Sequence, residues 1–282
     1  MAYRFDLSLD PGAEARRVLL EQTTRALQAL QDPEGQGNVH SARKSLKRCR
    51  ALLDLARRGL GGARTGPLAA TYRDAGRLLS GARDAEVARV VLAIIVADSK
   101  LPKYAHLLPP MERTTRPEDV AEAERMLMQA ETDLEALPWS RLDRVRLLAG
   151  LERSYGRARA DLAKTRQTDE VEVVHDWRKR VKAWGYHVQL LQDVWTPVIG
   201  PFLGVADELQ EALGDHHDVS VVRQALLAEV GAVPKRLEKA LAARERGMVE
   251  RAWRLGGPLL AMSAEQHAGW FGALWAEAAP GG

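Results

Sequence analysis

The chain has 282 residues, 46% of them hydrophobic and 28% charged, with a formal net charge of +3. This composition is typical of a globular protein with a real core, and it excludes a disordered chain or one that is basic throughout. The single cysteine, Cys49, excludes an internal disulfide and a multi-cysteine zinc site, and its apolar helix face predicts a core residue. The chain has no signal-peptide pattern at its start and no apolar run of membrane-spanning length, so we expect a cytoplasmic location.

The first half of the sequence predicts five helices after a short extended arm at 3–9. Asp10 is the expected cap of the first helix, with Pro11 at its first position. Asp84 is the expected cap of the fourth. The predicted helices are 11–30, 38–58, 67–80, 85–98 and 117–137.

The second half repeats this order without a β-hairpin signal. Ser140 is the expected cap of its first helix, and Ser263-x-x-Gln266 fits a capping box before the last one. The segment 79–87 aligns with 213–221, where Asp218 would cap a helix as Asp84 does. The predicted helices are 140–164, 169–194, 201–213, 218–230, 234–255 and one that begins at 263. The fold class is therefore all-α, with two similar helical bundles at 1–137 and 138–282 that arise from an internal duplication and are related by a pseudo-twofold.

The pattern Val-His-x-x-Arg-Lys-x-x-Lys occurs twice, from Val39 and from Val174. On a helix, each copy places its basic residues around the histidine and an apolar stripe on the opposite side. A single basic face is most often a solvated surface. However, like charges at these spacings destabilise a helix, and Asp54 is the sole acid from residue 40 to residue 58. The repetition therefore indicates an anionic ligand that offsets the repulsion.

The candidate binding residues follow from these faces. Arg153 and Arg157 lie on the helix before the second basic one and either extend the site or cover the exterior. Arg83 precedes the Asp84 cap, at a helix N-terminus that favours anions. The full set is His40, Arg43, Lys44, Lys47, Arg48, Arg50, Arg83, Arg153, Arg157, His175, Arg178, Lys179 and Lys182.

These motifs, in this order, resemble the CHAD family, the conserved histidine α-helical domain, over nearly the whole chain. The resemblance implies two helical bundles around a basic central cavity that binds inorganic polyphosphate, and association with polyphosphate granules. Some members carry a CYTH domain marked by Glu-x-Glu-x-Lys. Glu170-Val-Glu172-Val-Val174 lacks the lysine, so this chain looks like a stand-alone copy.

Phosphate chemistry agrees with the implied ligand. Arginine offers planar paired donors to phosphate oxygens, and lysine offers a point charge. We expect His40 and His175 to act as donors, with affinity rising as the pH falls below neutral. The prediction is a non-enzymatic polyphosphate-binding protein with no cofactor or metal. Its partners would include no sequence-specific nucleic acid and no membrane, and a homodimer is possible.

Three alternatives stay open. His216-His217-Asp218, with His187 and His40, would suit a metal phosphohydrolase, although the first half has Ala-Arg-Asp at the matching place. Non-specific RNA binding uses the same phosphate contacts, but it usually adds aromatic residues among the cations. Here Trp177 and Trp184 lie opposite the basic face, and Tyr186 lies within it. A helical scaffold for another protein has no positive signal. A di-iron motif at Glu172-x-x-His175 lacks its required second copy, and His187 and His267 lie off the basic faces.

Overall fold

The computed structural model describes residues 3–32, 38–109, 115–168 and 170–279, without the side chains of 38 and 81–84. These ranges are helical and contain no strand, so the predicted all-α class is confirmed. Three short 3-10 turns, at Pro102–Leu107, Trp139–Arg141 and Gln192–Val194, join some of the helices. The helices are α1 Pro11–Gln31, α2 Asn38–Leu60, α3 Gly62–Leu78, α4 Gly81–Asp98, α5 Pro117–Glu135, α6 Arg144–Thr165, α7 Val171–Leu190, α8 Thr196–Val230, α9 Lys235–Leu259 and α10 Ala264–Ala278.

Several helix starts follow the predicted capping chemistry. The Asp10 carboxylate accepts a hydrogen bond from the Ala13 amide at 2.8 Å, and Ser263 and Gln266 form the predicted capping box. Ser140 is not a cap, because it lies in a 3-10 turn and α6 begins three residues later than expected. Asp143 caps α6 by accepting from the Arg146 amide at 2.8 Å.

The predicted break between 213 and 218 is wrong, because α8 runs through it as one helix of 35 residues. Buried residues recur at helical spacing across the segment, from Leu209 through Leu213 and His216 to Val219, so packing favours continuation. The helix ends where Gly231 adopts a positive φ of 76°. Asp218 is therefore inside α8 and is not a cap. Asp84 is likewise inside α4, which begins at Gly81.

One large core contains buried residues from both halves of the sequence. Helices α1, α2, α3 and α5 pack together, α6 packs on α7 and α10, and α7 packs on α8. Helix α2 also packs against α6, across the expected boundary at 137–138. A Cβ at Gly150 of α6 would lie 2.1 Å from the Leu55 carbonyl oxygen, so this crossing requires glycine. The division into two domains stays a prediction.

A second, smaller core lies under α4, the C-terminal half of α8 and the start of α9. We call this part of the fold the α4 lobe. Its buried residues are Ala88, Leu92, Ile95, Val96, Leu108, Val219, Val222, Leu226, Leu237 and Leu241. In the part of the chain that the structure describes, no helix is both long and apolar enough to cross a membrane.

Candidate polyanion site

The two basic helices, α2 and α7, pack against each other and enclose a cavity of about 350 Å³. We call it the Arg178 compartment. It contains cationic side chains of both helices and one carboxylate, that of Asp54. Tyr186, Ala51 and Ala183 complete its wall. The cations are Lys47, Arg50, Arg178, Lys179, Arg180 and Lys182.

A second cavity, of about 240 Å³, lies where α8 joins the same two helices. We call it the Arg48 compartment. Lys44 and Arg48 of α2 and Lys182 of α7 supply its positive charge, and Asp207 of α8 supplies its carboxylate. Gly185, Tyr186, Gln189, Leu203 and Gln210 complete the lining.

Lys182 and Tyr186 line both compartments, so the two cavities adjoin along one stretch of α7. The apolar stripes opposite the basic faces are buried, as the helical period predicts: Trp177, Trp184 and Cys49 are fully enclosed. Burial raises the pKa of Cys49 to about 12, as expected for a core thiol.

Several cations of the site are held in environments that disfavour their charge. Burial lowers the pKa of Arg178, and the nearby Asp218 partly opposes this effect. Burial also lowers the pKa of Arg48, whose guanidinium lies 4.8 Å from the centre of the Tyr3 ring. The pKa of Arg50 is lowered as well, mainly by partial burial and then by the nearby charges of Arg73 and Arg77. An anion that enters the compartments would relieve these costs.

Arg153 and Arg157 lie beside Asp54, which lines the Arg178 compartment, but neither of them is part of that lining. Arg153 is only 19% exposed, donates to the Asp54 backbone carbonyl, and lies 3.6 Å from the Asp54 carboxylate. The distance from Arg157 to the same carboxylate is 3.8 Å. Arg157 is 42% exposed. The extension of the basic site by these two arginines stays a prediction.

His175 contacts a histidine that the sequence placed in a different motif. Its ring centre lies 4.6 Å from that of His217 on α8. Burial, then Lys179 and Arg178, lower the pKa of His175. Burial, then Arg178, His175, His216 and Lys179, lower the pKa of His217 to about 4. Both shifts favour the neutral form of the ring in the free protein.

Several buried side-chain nitrogens of this region have no hydrogen-bond partner among the described atoms. They include Nε of Arg48, Nε of Arg153 and Nδ1 of His175. A buried polar atom without a partner costs free energy. Of these three residues, Arg48 lines a compartment, where an anion could accept a hydrogen bond from its Nε.

The predicted binding residues do not all converge. His40 is exposed near the start of α2. Five of the predicted residues are not among those that line the two compartments: His40, Arg43, Arg153, Arg157 and His175. His40 and Arg43 have other interactions within the protein. The Arg83 side chain lies outside the described residues. The two copies of the motif are thus used unequally: the α7 copy places Arg178, Lys179 and Lys182 in the Arg178 compartment, whereas the α2 copy places Lys47 there.

Sequence reasoning missed five polar residues of the site: Asp54, Arg180, Gln189, Asp207 and Gln210. Arg180 lies about 140° from His175 on a helical wheel, at the edge of the basic face, so the helical pattern could have predicted it. Asp54 was noted only as the exception in a basic helix. Asp207 and Gln210 come from α8, where no motif marked them. Their Oδ1 and Nε2 atoms are 3.0 Å apart, and burial raises the pKa of Asp207 while Lys44 and Lys182 oppose that rise.

Two other histidines, His187 and His267, are buried in the core. His187 is buried between the Ser154 hydroxyl at 2.9 Å and the Ala51 carbonyl at 2.8 Å, and burial lowers its pKa to about 4. His267 stacks on Tyr155 and accepts from the Trp184 indole at 3.2 Å, and burial lowers its pKa to about 3. No group of three histidine, cysteine or acidic side chains with metal-binding geometry occurs among the described residues.

The fold and these cavities define an all-helical protein with a concentrated basic site between two repeated sequence motifs. The CHAD domain model matches residues 13–227, which is more than half of the chain, so the protein belongs to the CHAD family. No CYTH match accompanies it, in agreement with the missing lysine after Glu172. No curated protein matches the chain. The matched region ends within α8, before α9 and α10.

Proposed function

We propose that this protein binds inorganic polyphosphate in the two adjoining compartments between α2, α7 and α8. The observation that carries the proposal is the charge of the Arg178 compartment, where six cationic side chains meet one carboxylate. The CHAD domain is known to bind polyphosphate, which supports the same ligand.

The chemistry suits a linear chain of phosphates. Polyphosphate carries about one negative charge per unit, and its binding to a row of cations releases condensed counterions, as nucleic-acid binding does. The arginines offer paired donors to phosphate oxygens, and Lys182 offers charge to both compartments. A chain that crosses from one compartment to the other would pass Lys182 and Tyr186.

Three finer features belong to this proposal. The repeated motif and the similar order of helices support an internal duplication, in which α2 and α7 are equivalent helices around a central basic cavity. The protein would act by binding alone, without catalysis. Its binding would attach it to polyphosphate granules in the cytoplasm.

RNA is the rival ligand that one observation favours. Tyr186 lines both compartments, so it offers a ring on which a base can stack beside the cations. The two tryptophans of α7 are buried in the core and offer no second platform. We therefore expect polyphosphate to bind more tightly than single-stranded RNA of equal charge.

The test is a binding titration of long-chain polyphosphate against that RNA over a salt series. The variant replaces Arg43, Lys47, Arg178 and Lys182 by glutamine. A control variant with the same change in net charge replaces four exposed basic residues outside both compartments, Arg64, Arg141, Arg236 and Arg254.

We expect the first variant to lose binding at physiological salt while its circular dichroism stays helical, and the control to keep most of it. Equal binding of RNA would make the protein a general polyanion binder. Equal losses in both variants would mean that net charge, and not the compartments, attracts the ligand.

A further inference from the structure

The outward face of α4 carries an uncharged stripe that nothing in the described structure covers. Val90 and Ile94 are 43% and 44% exposed, and Ala93 and Ala97 are exposed beside them. The spacing i, i+3, i+4, i+7 places these four side chains on one side of the helix. The opposite side, with Leu92 and Ile95, is buried in the α4 lobe. Helix α4 thus has the apolar stripe of a packed helix on its solvent side as well.

The order of large and small side chains along this stripe is complementary to the same stripe on a second copy of the protein. If two α4 helices lie antiparallel about a twofold between positions 93 and 94, Val90 meets Ala97 of the other copy, and Ala93 meets Ile94. Each large β-branched side chain then lies against an alanine, the alternation that lets two helices interdigitate at close range. A twofold contact is self-complementary in just this way. We propose that the protein forms a homodimer through an antiparallel α4–α4 contact.

The charges beside the stripe permit this contact. Glu86 pairs with Arg89 at 2.6 Å, and Asp98 pairs with Arg244 of α9 at 2.8 Å. These two pairs are therefore neutralised within one chain and do not oppose the approach of a second copy. The strongly basic compartments lie on other helices, so the contact does not bring them face to face through α4.

The available area makes the dimer weak. Specific interfaces usually bury about 800 Å² on each partner, which is more than one face of an 18-residue helix provides. Helix α8, which packs against α4, exposes Leu227 and Val230 near its end and adds apolar surface to the same lobe. We expect a concentration-dependent dimer in the range of tens of micromolar, independent of whether polyphosphate binds.

Sedimentation velocity of the full chain from about 1 to 200 μM tests the proposal. The wild type should shift from monomer toward dimer over this range. The variant Val90→Gln with Ile94→Gln should stay monomeric and folded, because both side chains are exposed. The control Met128→Gln with Val145→Gln removes two apolar residues elsewhere that are even more exposed than Val90 and Ile94, and it should dimerise like the wild type. A wild type that is monomeric throughout, or a dimer that survives the α4 variant, would overturn the proposal.

Cross-linking tests the antiparallel register. Positions 90 and 97 of opposite copies are adjacent in this arrangement, whereas position 90 and its own symmetry mate are about 10 Å apart along the helix, too far for a disulfide. A mixture of Val90→Cys and Ala97→Cys proteins should oxidise to a covalent dimer, and either protein alone should not. The native Cys49 is buried and does not compete. Efficient cross-linking of either single variant by itself would contradict the register.

Discussion

Helices α2 and α7 carry the same nine-residue pattern, yet the fold surrounds them differently. Helix α2 packs on α1, α3 and α6, and its histidine, His40, is exposed. Helix α7 packs on α6 and α8, and its histidine, His175, lies against His217. The equivalent arginines differ in the same way, since Arg178 lines a compartment and Arg43 does not. A repeated motif therefore gives two chemical environments, because the neighbouring helix decides which side chains face the cavity.

The largest expected effect comes from mutating the basic motifs of α7 and α2 in separate variants. Arg178→Gln with Lys182→Gln should weaken polyphosphate binding about 100-fold at physiological salt, because each removes a charge-assisted contact worth at least about 1.4 kcal/mol. The equivalent pair on α2, Arg43→Gln with Lys47→Gln, should cost about tenfold, since only Lys47 lines a compartment. Isothermal titration calorimetry of both variants measures the difference. Equal losses would show that the two copies contribute equally and that the cavity lining does not predict the binding residues.

The next effect concerns the contact between His175 of α7 and His217 of α8. The pKa of His217 in the free protein is lowered to about 4. A bound polyanion would raise it, so binding takes up a proton, and affinity should increase as the pH falls from 7 toward 5 and level off below about 4. We expect a gain of about tenfold between pH 7 and pH 5 in the wild type. His217→Gln should lose most of this gain, and His106→Gln, a change at an exposed histidine of the 3-10 turn, should keep it.

Acid destabilisation of the fold has to be separated from that gain. The pKa values of the buried His187 and His267 are lowered to about 4 and about 3, so the unfolded chain binds protons more readily than the folded chain below the ordinary histidine pKa near 6.5. Stability contributed by these neutral rings is therefore present above that value and decreases as the pH falls. Thermal unfolding at each pH of the titration identifies the range in which all variants remain folded. A gain that is unchanged in His217→Gln within this range would exclude the pair as its source.

The sequence predicted what depends on local pattern. The two basic faces, the buried stripes with Trp177 and Trp184, and the caps at Asp10 and Ser263 all follow from helical period and capping chemistry. Asp218 was misread as a cap because the pattern does not reveal that packing continues α8 through this segment. Asp84 was misread because α4 begins three residues earlier, at Gly81. Asp207 was missed for a different reason: it joins the site through the tertiary contact of α8 with α7, which no spacing within either motif encodes.

A smaller effect tests the carboxylate that the sequence missed. Asp207→Asn should tighten polyphosphate binding about threefold at low salt, because it removes a negative charge near Lys44 and Lys182 in the Arg48 compartment. Glu211→Gln, a change at an exposed acid one turn further along α8, is the matched control and should change affinity less. Titrations at two salt concentrations measure both variants, and the gain should shrink at high salt. Weaker binding after Asp207→Asn would mean that the carboxylate organises the lysines and does not compete with the ligand.

The smallest expected effect returns to the two motif histidines. His40→Gln should change polyphosphate affinity less than twofold at pH 7, because His40 is exposed near the start of α2. His175→Gln should lower the affinity more, since it removes the ring that packs on His217. His217 would then lie beside Arg178 without the His175 ring. Glutamine keeps a hydrogen-bond donor in both variants, so the comparison isolates the ring and its proton. If His40→Gln costs as much as His175→Gln, the ligand must extend along α2 beyond the two compartments. The polyphosphate path would then follow the repeated motif along both helices.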